Sequence, residues 1–174
     1  MSLIVEDGTG LATAESLSSV AEFLAYHASI GNTSATTLTT AETEQCLRKA
    51  TAFMLGRYRS RWGGYRKTTT QAQDFPRSLM PIKDAPTLYG SSASYYDDAS
   101  TPQAVKDACN SLALRAFTAT LLADQSRTKK SVTVGPITTV YDDVAGQAKI
   151  YAEVDAMLQP YLKNSGNQVA VVRA

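Results

Sequence analysis

The sequence predicts a mainly α-helical fold with four helices, a short β-hairpin or extended segment, and extended arms at both ends. Three observations carry this expectation. Apolar residues recur at helical spacing in four separate stretches. Capping residues or proline open the first and third stretches, and glycine closes the first two. Clusters of β-branched residues with a Gly-Pro turn between them are concentrated in residues 131–141. A chain of 174 residues, 44% apolar and 19% charged, fits one domain able to bury a core.

Residues 1–18 carry glycines and threonines without periodicity, which predicts an extended N-terminal arm or short strand. A helical domain over 19–163 follows. Ser19-Val20-Ala21-Glu22 fits a capping box, in which the serine hydroxyl accepts an N–H three residues on and the glutamate reaches back. The first helix places Val20, Phe23, Leu24 and His27 near one face and stops at Gly31-Asn32. Residues 33–40 form a Thr/Ser-rich loop by composition. The second helix starts near Thr40, carries Leu47, Ala50, Met54 and Tyr58 on its apolar face, and runs to about Arg61 before Gly63-Gly64. Residues 63–101, with Pro76, Pro81 and Pro86, form a long irregular section of a length usually tied to function or mobility.

The third helix is expected to have Thr101 as cap and Pro102 in its first position, with Val105, Cys109, Leu112, Ala116 and Thr120 on one face. It should extend to about Asp124. Residues 131–134 and 137–141 predict two strands around Gly135-Pro136. A fourth helix over about 146–163 aligns Ile150, Val154, Met157, Leu158 and Tyr161. Residues 164–174 are a C-terminal tail ending in Val169-Ala170-Val171-Val172-Arg173, a candidate partner-binding segment.

Charge is segregated although the total is near neutral. Residues 1–47 contain no Lys or Arg but do contain Glu6, Asp7, Glu15, Glu22, Glu42 and Glu44. Residues 48–77 carry Arg48, Lys49, Arg57, Arg59, Arg61, Arg66, Lys67 and Arg77 against Asp74 alone. A second basic knot is Arg127, Lys129 and Lys130. Such asymmetry points to a polyanionic partner, or to a partner of opposite sign such as another copy joined head to tail. Ordinary solvated faces pairing within one subunit would produce the same pattern.

Reactive chemistry has little to draw on. His27 is the only histidine and lacks a recognisable nucleophile partner. Cys46 and Cys109 are too few for a disulfide framework and too far apart for a zinc knuckle, and they read as buried thiols. The doublets Asp97-Asp98 and Asp142-Asp143 read as solvated turns rather than cation sites. No phosphate-binding glycine loop or dinucleotide fingerprint occurs, so neither an enzyme nor a cofactor is expected. No stretch approaches the roughly 18 apolar residues of a membrane span, and residues 1–7 lack a secretory-signal pattern, which predicts a cytosolic product. Residues 57–67 do fit a nucleic-acid surface, with arginines for phosphates and Tyr58, Trp62 and Tyr65 for bases. The competing reading has Trp62 and Tyr58 anchoring the helix end in the core.

At these residues a resemblance appears. The opening Ser2-Leu3-Ile4-Val5-Glu6-Asp7-Gly8-Thr9-Gly10-Leu11, then Ala14-Glu15-Ser16 and Ala25-Tyr26-His27, resembles a tailed-phage family encoded among the head–tail genes. Leu47-Arg48-Lys49-Ala50-Thr51, Arg61-Trp62-Gly63, Phe75-Pro76-Arg77 and Val134-Gly135-Pro136 agree with it. Phe75 stands where the family pattern has Trp, and a Ser/Tyr-rich stretch near 88–100 is inserted or divergent. Members are often labelled DnaT-like single-stranded-DNA-binding proteins, while gene context and fold point to the head–tail connector adaptor.

The resemblance implies a structural virion protein at the neck, made in the host cytoplasm. Its partners would be the portal protein and a tail or further neck protein, with no membrane involved. It would form a dodecameric ring around double-stranded DNA, touched without sequence specificity. Arg57, Arg59, Arg61, Arg66, Lys67, Arg127, Lys129 and Lys130 are then candidates for a subunit interface or the channel wall. In that reading the acidic N-terminal part of one subunit faces the basic region of the next. The alternative is a single-stranded-DNA-binding module of a phage.

Overall fold

Four helices and two small antiparallel sheets make up the computed structural model, which describes residues 2–84, 94–122, 131–134, 137–140 and 149–163. Helix α1 (Val20–Ser29) begins at the predicted capping box: Ser19 Oγ accepts the Glu22 N–H at 3.2 Å and Glu22 Oε2 accepts the Ser19 N–H at 2.7 Å. Phe23 and His27 are buried, whereas Leu24 lies partly exposed, because α1 offers only a narrow stripe to its neighbours. The loop expected at 33–40 contains a 3-10 turn at Thr33–Thr37, in which the Thr36 and Thr37 hydroxyls donate to carbonyls three residues back.

Helix α2 (Thr40–Tyr58) buries Leu47, Ala50, Met54 and Tyr58 as predicted. It ends three residues earlier than expected. The Arg61 and Trp62 N–H groups both donate to the Tyr58 carbonyl, turning the chain so that Trp62 enters the core at 1% exposure. Helix α3 (Gln103–Thr118) is central, packing against α1, α2 and the final helix, α4. Ala108, Ala113 and Ala116 on its surface permit this close approach on several sides. Pro102, rather than Thr101, is its N-cap, with its carbonyl accepting the Val105 and Lys106 N–H groups. The helix stops at Thr118 and not near Asp124, where the Thr118 hydroxyl back-bonds to the Arg115 carbonyl and Ala119 becomes extended.

The fourth helix is much shorter than expected. Helix α4 spans only Ala152–Leu158, and Pro160, lacking an N–H, converts the next turn to 3-10 geometry over Gln159–Tyr161. Ile150, assigned by spacing to the apolar stripe, lies before the helix and is exposed, while Val154 and Leu158 are buried. Strands β1 (Tyr65–Arg66) and β2 (Arg77–Ser78) pair antiparallel inside the section expected to be irregular. Strands β3 (Ser131–Val134) and β4 (Ile137–Val140) form the predicted hairpin in the register Ser131↔Val140 to Val134↔Ile137.

The N-terminal arm is extended but fastened to the body. Val5 bridges Ser16, Gln73 Nε2 donates to the Ala14 carbonyl at 2.6 Å, and the Ala72 N–H donates to the Leu11 carbonyl. Glu6 is buried and accepts the N–H groups of Gly8, Gly10 and Leu11, closing the loop on itself. Gly8 has φ +97°, and a Cβ there would stand 1.9 Å from the Ala99 carbonyl oxygen, so the arm seats against residues 99–100 only through glycine.

Candidate binding surface

The basic segment folds around a buried carboxylate. Asp74 accepts the Trp62 Nε1–H at 3.1 Å through one oxygen and the Arg59 Nε–H at 3.1 Å through the other. Trp62 packs edge-on against Phe75 and tilts against Tyr58. Arg77, also buried, donates to the carbonyls of Gly63 (2.7 Å), Gly64 (2.9 Å) and Asp74 (3.1 Å), so one guanidinium holds three turn carbonyls together. Burial pushes its pKa down, partly offset by Asp74. Trp62-Gly63 and Phe75-Pro76-Arg77 thus form a single bonded unit, with Phe75 as an aromatic core residue.

Tyr58 and Trp62 are therefore not available to stack on bases, and of the two readings of 57–67 the one that anchors them in the core holds. Burial, aided by a 2.6 Å hydrogen bond to Asp155, pushes the Tyr58 hydroxyl pKa up to about 12. Arg57 lies 3.6 Å from the same Asp155 carboxylate. Arg66 donates to the Thr69 and Gln71 carbonyls, and Lys67 donates to the Gly8 carbonyl and lies 3.8 Å from Asp98. Arg61 is exposed, its guanidinium over the Tyr58 ring at 5.6 Å. Tyr65 is 72% exposed on β1. Arg127, Lys129, Lys130 and residues 169–173 lie outside the described residues, as does Asp142-Asp143.

Sequence reasoning missed how this ribbon is closed. Trp62 forms an antiparallel bridge with Leu162, with Gly63 N–H donating to the Tyr161 carbonyl (2.9 Å) and Lys163 N–H to the Arg61 carbonyl (2.6 Å). Lys83 Nζ adds a bond to the Leu162 carbonyl at 2.6 Å. Gly64 has φ +58°, and a Cβ there would come within 2.5 Å of the Ser78 carbonyl oxygen. Leu79 is also at positive φ and exposed. Gly63-Gly64 was the available signal for the turn, but nothing local announces a partner at 161–163.

All six acids of residues 1–47 have partners within the same chain. Glu6 caps its loop, Asp7 accepts from Thr9, and Glu15 pairs with Arg48 at 2.8 Å. Glu22 pairs with Lys106 at 2.7 Å, Glu42 caps α2, and Glu44 lies 3.6 Å from Arg48. Glu15, Glu22 and Glu44 are thus paired with cations of the same chain, whereas Glu6, Asp7 and Glu42 accept only from neutral groups and keep their charge.

Elsewhere, His27 is buried with Nε2 at 3.1 Å from the Asn110 carbonyl, and burial lowers its pKa. Cys46 and Cys109 are buried free thiols, with burial pushing Cys109 up to about 11. Asp97 and Asp98 accept from the Ala99 N–H and Ser78 hydroxyl as turn carboxylates. Among the described residues, no group of three His, Cys, Asp or Glu side chains could hold a metal, and no helix is long and apolar enough to cross a membrane. A 540 Å³ groove lined by Lys49, Phe53, Phe117, Leu121 and Leu122 is apolar and brings no titratable pair together.

No curated protein and no solved structure matches the chain. A family profile does, over residues 1–174, so the chain belongs to the family described as "Putative DnaT-like ssDNA binding protein".

Proposed function

We propose that this chain is a head-to-tail adaptor of a tailed phage, an assembly subunit that docks beneath a portal ring and surrounds the DNA exit path. The observation that supports it is the use made of the motif residues. Trp62, Gly63, Phe75, Pro76 and Arg77 are bound up in the scaffold, which suits a motif that serves architecture rather than a ligand. Work of this kind needs complementary surfaces and no reactive group. Mixing the purified protein with its portal and weighing the product by native mass spectrometry tests this. Several copies per portal ring are expected, and absence of binding in any mild buffer overturns the reading.

A second reading, single-stranded-DNA binding, is favoured by the family description, which speaks for it more directly than for the adaptor. It predicts retention on single-stranded DNA at low salt, weakening steeply as salt rises. The burial of Trp62 and Tyr58 removes two of the three stacking groups it relied on and leaves Tyr65.

A further inference from the structure

We infer that the exposed side of the ribbon, around Tyr65, Arg61 and Lys163, is a binding site for single-stranded nucleic acid. Tyr65 stacks on a base there, and the two cations meet the adjoining phosphates. This rests on the second reading above and gives it a location.

The first argument is a like-charge pair. The antiparallel bridge Trp62↔Leu162 sets Arg61 directly opposite Lys163. Like charges opposed across two strands repel. Both side chains are exposed, and among the described residues neither has a carboxylate within ion-pair distance. An anion lying between them removes the repulsion. Among the N-terminal acids, Glu15, Glu22 and Glu44 are already paired with cations of their own chain.

The second argument is Tyr65. A tyrosine normally buries its ring, yet this one stands 72% exposed on a two-residue strand three residues beyond the buried Trp62. Strand alternation separates it from Arg66, which pairs with the buried Arg77. Lys67 adds a further cation nearby, tempered by Asp98 at 3.8 Å. Tyr65 follows Arg61 by four residues in the chain, and an exposed ring in a segment with exposed cations is the composition that binds single strands without base preference. A duplex offers no open base face to the ring, so Tyr65 contributes to single-strand binding alone.

Fluorescence anisotropy of a labelled oligothymidylate against the full-length protein tests this, with an unlabelled duplex as competitor. Tyr65→Ala is expected to weaken single-strand binding by about 5- to 150-fold, as for one lost stack, and to leave duplex competition unchanged. Tyr65→Phe should bind like the parent, and Arg61→Ala and Lys163→Ala should each weaken binding. If the parent binds the oligothymidylate and all three truncations bind equally well, the site is wrong while the DNA-binding reading stands. If the parent does not bind, that reading fails and the site with it.

Discussion

Asp74 shows how a single side chain decides what an arginine-rich string does. Its two oxygens hold Trp62 and Arg59, and the Trp62 N–H is buried. Asp74→Ala is expected to cost about 1–3 kcal/mol in chemical denaturation, mainly by leaving the indole N–H unpartnered. The half-exposed Arg59 contributes little to that loss because solvent screens it. Tyr58 predicts a pH effect. Its hydroxyl titrates near 12 in the fold against about 10 in the unfolded chain, so the stability it confers is complete below pH 10. Between pH 10 and 12 the unfolded chain loses its proton first and stability falls. Tyr58→Phe should flatten that decline in urea titrations across this window. His27 acts on the acid side: burial holds its pKa below the usual 6.5, so the unfolded chain takes up the proton first as pH falls below that value. Stability should therefore drop from pH 7 toward 5, less so in His27→Leu.

At the level of elements, local chemistry was readable and distant pairing was not. The Ser19 capping box, the apolar faces of α2 and of α3 as far as Ala116, and the paired strands 131–134 and 137–140 each depend on a few neighbouring residues, and each stands where the sequence puts it. Ser19→Ala should lower stability by about 1 kcal/mol, read as a shift in the urea midpoint. Helix ends were misplaced where a side chain or proline competes with the next turn, as at Thr118 and Pro160. The role of Gly63-Gly64 was legible as a break but not as half of a ribbon. Gly64→Ala, which combines positive φ with a 2.5 Å clash against Ser78, should destabilise by at least about 1–2 kcal/mol. The fall in melting temperature measures it.

For the whole molecule, the segregated charge was visible at once but its use was not. Ion pairs such as Arg48–Glu15 and Arg57–Asp155 join residues far apart in sequence, so composition could not tell internal ties from an outward-facing patch. Trp62 and Tyr65 both stood as stacking candidates, with a core role offered for Trp62 alone of the two. Only the fold, through Asp74 and the bridge to Leu162, hides one ring and leaves the other in solvent. If Arg61 neutralises one phosphate, Arg61→Ala should reduce the slope of log affinity against log salt by about 0.7 for a single strand. A salt series by anisotropy reads this directly. The bridge between Trp62 and Leu162 also orders events in time. Translation proceeds from the N-terminus, so the ribosome must deliver some hundred further residues before Trp62 meets its partner strand. A nascent chain therefore completes neither the docking of α4 on α3 nor the ribbon until residues 152–163 have been made, which postpones any engagement by that surface to the same moment.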